Sequence, residues 1–236
     1  MFTAKNSETK QLSFDNYESQ LTKEHDYLNK YLDLNSTRIE ITIQELEELL
    51  QNELEQNPDD ETLIHEFYDK KLKSILSFYY HSSITLVHSF FENQLLILCN
   101  IIKTDTRNKL DISKLRGSDL IKRSLYYLSL TANVDKLLLD RHKPRLGKFQ
   151  KLRNKIIHDN STYKDDEIKN NLINDFGDNI EFYEIEQKFF LNSDALPKEY
   201  LENSFAFMIE LLDYLKRTDF LIISEGINIE DDDLPF

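Results

Sequence analysis

Apolar residues in this 236-residue chain recur mostly three or four positions apart, the period of helices buried along one face. Phe14, Tyr17, Leu21, Tyr27 and Tyr31 follow that spacing approximately and predict a first helix after a loose terminus over residues 1–12. Asn35 and Ser36 offer an N-cap for a second helix, through Leu50 to about Glu55, which Asn57-Pro58 stops. Asp59 and Asp60 supply a cap and dipole-favourable charge for the longest element, expected to run to about Lys103, with His81 to Ser83 as the place for a break. Within it, Ile84 to Ile102 is the longest apolar run. His88, Glu92, Asn93, Gln94 and Asn100 interrupt that run, and each is costly in a lipid core, so a buried helix is expected and not a membrane span.

Further along, Gly117-Ser118 predicts the start of another helix, with Leu120, Ile121, Leu125, Leu128 and Leu130 apolar. Pro144 is expected near the start of the next, which ends near Asn160. Residues 160–178 are polar and read as a loop with at most a short helix. Ile180 to Leu191 alternates irregularly, as a hairpin does, and Leu196-Pro197 opens a last amphipathic helix through Phe205, Met208, Leu211, Leu212 and Leu215. Glu225 to Phe236 carries five acids and reads as disordered. The expected class is all-α. Its expected organisation is an N-terminal helical extension over residues 1–57, a helical bundle over 58–222 and an acidic tail over 223–236.

Composition agrees with long helices: four Gly and four Pro are too few for the frequent turns of a sandwich or barrel. The single Cys99 cannot form an intramolecular disulfide, and Met1 to Lys10 lacks the apolar core of a signal peptide, so a cytoplasmic protein is expected. The net charge of -14 argues against a polyanionic partner until its distribution is considered. Lys103 to Lys155 holds fifteen Lys or Arg against five Asp, so the remainder carries -24, and Arg141 to His158 holds seven bases and no acid. Such a stretch is either a solvated basic face that balances an acidic body or a phosphate-binding surface.

Candidate chemistry lies in that stretch. At 100° per residue, Phe149, Leu152 and Ile156 share a stripe within about 60° of one another. His158 stands about 240° from Leu152, Asn154 about 200° and Lys151 about 260°, all away from the stripe, with Arg153 flanking at about 100°. Cleaving RNA through its own 2′-hydroxyl needs a proton acceptor, a proton donor and positive charge for the developing phosphorane. Histidine titrates near neutrality and serves as acid or base. Arginine stays charged and forks onto phosphate oxygens. That chemistry requires no metal and no cofactor.

The segment Phe149-Gln150-Lys151-Leu152-Arg153-Asn154-Lys155-Ile156-Ile157-His158-Asp159 resembles the motif of ribonuclease members of the HEPN family, which carry Arg, four to six residues, then His, often with Asn directly after the Arg. The Arg–His spacing alone is expected about 0.6 times by chance in this chain, and the added Asn lowers that to about a few hundredths. In the family the motif sits late in a helical bundle and follows a long apolar helix with an internal Glu, a pattern similar to Ser89-Phe90-Phe91-Glu92-Asn93-Gln94-Leu95. The resemblance covers roughly residues 60–220. It implies that Arg153 binds and stabilises phosphate, Asn154 orients it and His158 transfers protons. Lys143, Arg145, Lys148, Lys151 and Lys155 would then hold the RNA backbone. It also implies a homodimer in which two motifs meet, and a toxin-like or antiviral role with an antitoxin or effector partner protein. Nucleotidylated members carry Tyr two residues after the His; here Asn160 stands there, and Tyr163 is the nearest candidate.

A second constellation, His81, Thr85, His88 and Glu92, lies on one helix face. As metal ligands these are incomplete, since a di-iron bundle needs matching sets from other helices. A buried polar cluster, with Glu92 bonded to His88 and to a base such as Arg153, is the favoured reading, and no metal site is expected. The rival to a ribonuclease is a noncatalytic helical module that binds a partner protein.

Overall fold

The computed structural model describes residues 7–221 except 116, 118 and 135. Among these the chain is all-α, with six helices and one two-stranded sheet. In order they are α1 (Ser7–Gln56), α2 (Glu61–Thr106), α3 (Leu120–Ala132), α4 (Lys136–His158), α5 (Asp166–Phe176), β1 (Ile180–Tyr183), β2 (Lys188–Leu191) and α6 (Ala195–Arg217). The expected disorder of the acidic tail falls outside the described residues.

Several boundaries differ from those the sequence suggests. Residues 7–12, expected to be loose, already belong to α1. Asn35-Ser36 does not begin a second helix, because Ser36 Oγ bonds back to the Leu32 carbonyl at 3.1 Å and reaches Asp194 Oδ2 at 2.5 Å, which satisfies its hydroxyl inside a continuous α1. No break occurs at His81 to Ser83. The hydroxyls of Ser82 and Ser83 turn back onto the Tyr79 carbonyl, and α2 continues to Thr106. Pro144 lies inside α4, not at its start, which is Lys136. Asp119 caps α3 by accepting from Lys122 N, and Asp165 caps α5 by accepting from Ile168 N. The hairpin forms with Ile180 opposite Leu191 and Phe182 opposite Phe189.

The chain divides into two compact units. The first combines residues 1–26, 89–146 and 202–236. Its core joins Phe14, Tyr17 and Leu21 of α1, Phe91, Leu95, Leu98 and Ile102 of α2, the buried face of α3, and Phe207, Met208, Leu211 and Leu215 of α6. The apolar run of α2 is long enough to cross a membrane by length and composition. Within this unit, Phe91, Leu95, Leu98 and Ile102 of that run are buried and Phe90, Leu96, Ile97 and Ile101 partly so.

The second unit combines residues 27–88 and 147–201. In it α1 and α2 pack through Leu46, Ile64 and Tyr68, with Leu50, Leu54, Leu72 and Ile75 alongside, and Tyr68 Oη donates to Glu53 Oε2 at 3.0 Å. The C-terminal part of α4 seats Phe149 flat on Tyr200, with centroids 4.6 Å apart and planes at 6°, and tilts it against Phe176 of α5. Phe149 and Leu152 are fully buried and Ile156 nearly so, which is the stripe the 3.6-residue period predicts.

Candidate functional site

All three motif residues belong to the second unit. With Phe149, Leu152 and Ile156 held inward, α4 turns Lys151, Asn154 and His158 to the exposed side, and Asn154 and His158 stand one turn apart. Arg153 roots on the flank and is half-buried. Its Nη1 donates to Asn154 Oδ1 at 3.1 Å, while its Nε lies buried without a hydrogen-bond partner among the described residues. The guanidinium is thus drawn around the helix toward the face that carries Asn154 and His158. The helical phase places Arg153 and His158 about 140° apart, and this side-chain bond offsets part of that separation.

The C-terminal end of α4, at His158, is held firmly. Asn160 and Ser161 both adopt the left-handed conformation, with φ of 50° and 59°. Ser161 N donates to the Lys155 carbonyl at 3.1 Å, a bond that closes the helix end in the manner of a Schellman turn. From there the chain joins the hairpin: Phe189 N donates to the Ser161 carbonyl at 2.9 Å and Tyr163 N to the Gln187 carbonyl at 2.8 Å.

His81 of α2, a partly buried member of the second constellation, braces this turn. His81 Nδ1 lies 3.1 Å from Ser161 Oγ and 2.9 Å from Ser77 Oγ, with its ring edge-on to Phe189. Burial pushes its pKa down to about 4. The signal available in the sequence was His81 at i+4 from Ser77 on an otherwise apolar stretch, but its third partner lies 80 residues away.

The basic residues divide by partner. Lys148 Nζ pairs with Asp175 Oδ1 at 2.9 Å, and Lys155 Nζ with Asp159 Oδ2 at 2.7 Å. The Lys155 ammonium holds the Asp159 carboxyl below the usual carboxylate range. Lys151 is exposed and has no ion-pair partner among the described residues. Lys143 is exposed and Arg145 half-buried; both lie in the first unit and have partners of their own. Also in the first unit, Arg141 pairs with Glu210, and His142 Nε2 lies 2.7 Å from Glu210 Oε2, chiefly through which that carboxyl is held below its ordinary range. Sequence counting treats these bases alike; the fold commits several of them to carboxylates.

His88 is buried and shares a 2.7 Å hydrogen bond with Tyr200 Oη, and the Arg153 guanidinium goes to Asn154. Among the described residues no group of three or more His, Cys, Asp or Glu side chains stands close enough to hold a metal ion. Tyr163 is 4% exposed and its hydroxyl donates to Glu184 Oε2 at 2.6 Å. Burial together with that bond raises its pKa to about 12, a poor setting for an acceptor of a transferred nucleotide. No family model, curated protein or solved structure matches this chain.

Proposed function

We propose that this chain is a metal-independent endoribonuclease of HEPN type, a cytoplasmic toxin-like or antiviral effector that cuts RNA through its 2′-hydroxyl. The observation that carries this reading is the Arg153–Asn154 hydrogen bond, which brings a permanent cation to the exposed face where His158 stands. His158 exchanges the proton, Arg153 stabilises the charge that grows on the phosphorane, and Asn154 fixes the guanidinium and orients a phosphate oxygen. Lys151 supplies a further positioning contact on the same face. Lys148 and Lys155 of the same unit extend the basic run and steer the backbone.

One exposed histidine supplies one titrating group, whereas transesterification uses both a base and an acid. A second copy of the chain, with its α4 motif facing the first, provides the other. The regulatory partner of such an effector would be a protein that covers this face. The deciding experiment is RNA breakdown by purified protein in chelator, wild type against His158→Ala. Loss of cleavage in the variant supports the reading. Undetectable cleavage by both, with intact folding, overturns it in favour of a noncatalytic interaction module.

A further inference from the structure

Beyond the motif, the second unit carries an unpartnered helix face. The exposed large apolar residues of α1 are Tyr27, Tyr31, Leu34, Ile41 and Leu49, with Leu34 at 70% and Tyr27 at 67% exposure. At 100° per residue these five fall within about 80° of one another, so they form one stripe and not a scatter. It is distinct from the buried stripe of Leu32, Ile39 and Leu46, which packs inside the unit. The stripe spans 23 residues, Tyr27 to Leu49, about 33 Å of helix.

Its charges are ordered along its length. Lys30 is exposed on the N-terminal half, Arg38 at the middle, and Glu45 and Glu48 on the C-terminal half; none has an ion-pair partner among the described residues. A helix whose exposed apolar stripe is basic at one end and acidic at the other is complementary to itself run in reverse. We propose that a second copy of this chain docks along this face, α1 against α1 and antiparallel, about a two-fold axis between Thr37 and Arg38. In that register Leu34 meets the other copy's Ile41, and Lys30 meets the other copy's Glu45. Each pair occurs twice, as an isologous contact demands. Exposed interchain pairs of this kind set register and orientation more than affinity. The contact does not depend on the ribonuclease reading.

The test uses the full-length protein without RNA. Cys99 is buried, so an introduced surface cysteine is the reactive thiol. Leu34→Cys and Ile41→Cys proteins are oxidised separately and mixed. The mixture is expected to give a disulfide-linked dimer, and each variant alone is not, because like residues would sit about 10 Å apart along the axis, beyond disulfide reach. In sedimentation at micromolar concentration and low salt, Lys30→Glu or Glu45→Lys alone should weaken association by about tenfold, and mixing the two should restore it, since both cross-pairs are again opposite in charge. His158→Ala in either background should leave cross-linking unchanged, which separates this contact from cleavage. Equal cross-linking by each single variant and the mixture, or no cross-linking in the mixture, overturns the proposal. So does failure of the charge variants to complement each other.

Discussion

The Arg153 guanidinium donates to the Asn154 side-chain oxygen across 3.1 Å, so the motif residue rooted off the polar face delivers its charge toward that face. Neighbouring residues on a helix point about 100° apart, and such a bond forms only when the longer chain wraps around the cylinder. The pairing of Arg with Asn at consecutive positions thereby gains a geometric purpose: the short amide is a fixed hook for the long cation.

Replacing His158 or Arg153 by Ala is expected to lower cleavage of single-stranded RNA by about 100-fold or more, the scale for losing an acid–base group or a charge-stabilising donor. His158 is exposed, so its loss should move stability by no more than about 0.5 kcal/mol. Gel assays in chelator, with circular dichroism melts as the folding control, check both. Wild-type activity in both variants would sink the assignment, and unfolding would mark the residues as structural.

If each site draws a histidine from both copies, inactive subunits should poison active ones. Adding His158→Ala protein in excess is expected to reduce the specific activity of each wild-type chain, with the residual activity following the share of wild-type pairs. Activity that stays proportional to wild-type chains alone would show that each copy works by itself.

The ion pairs on α4 rank the lysines. Lys151→Gln should weaken binding to unrelated RNAs equally and flatten the slope of log affinity against log salt by about 1. Lys148→Gln and Lys155→Gln should do less, because Asp175 and Asp159 already neutralise those ammonium groups. Filter binding at several salt concentrations measures all three. Equal effects at the three positions would mean that RNA displaces the carboxylates.

His81 predicts an acid limb of stability. Its folded pKa, about 4, lies below the ordinary 6.5, so between these values the unfolded chain binds a proton that the folded chain refuses. Stability should therefore fall as pH drops from about 6.5 to 4, at up to ~1.4 kcal/mol per pH unit for this group, and add nothing above that window. His81→Gln keeps a polar partner for the serines and removes the titration. Urea melts should show a shallower pH dependence in the variant over that window, and identical slopes would acquit His81.

What could be read in advance follows from the range of the forces involved. The stripe of Phe149, Leu152 and Ile156 was legible because helix period is local, and so was the stop at Asn57-Pro58. The exposure of Asn154 and His158 followed from the same phase. Continuity through Asn35-Ser36 was not legible, since a serine that caps a helix also serves inside one by bonding the carbonyl four residues back. Pro144 was misplaced for a related reason: a proline marks a first turn only when nothing upstream is helical, and Leu137 to Leu139 are too few to declare a period. The clamp of His81 on Ser161 and the neutralisation of Lys148 by Asp175 join segments distant in sequence, and no spacing rule reaches them.

The tie between the end of α4 and the hairpin has a kinetic meaning. The last helical turn of an ordinary helix frays freely, but here the Ser161 amide closes that turn while the Ser161 carbonyl accepts from Phe189. Opening one requires loosening the other. The amides of Ser161, Tyr163 and Phe189 should therefore exchange with solvent deuterium as a single cooperative unit, and the helix end that bears His158 should behave as part of the sheet and not as a loose terminus.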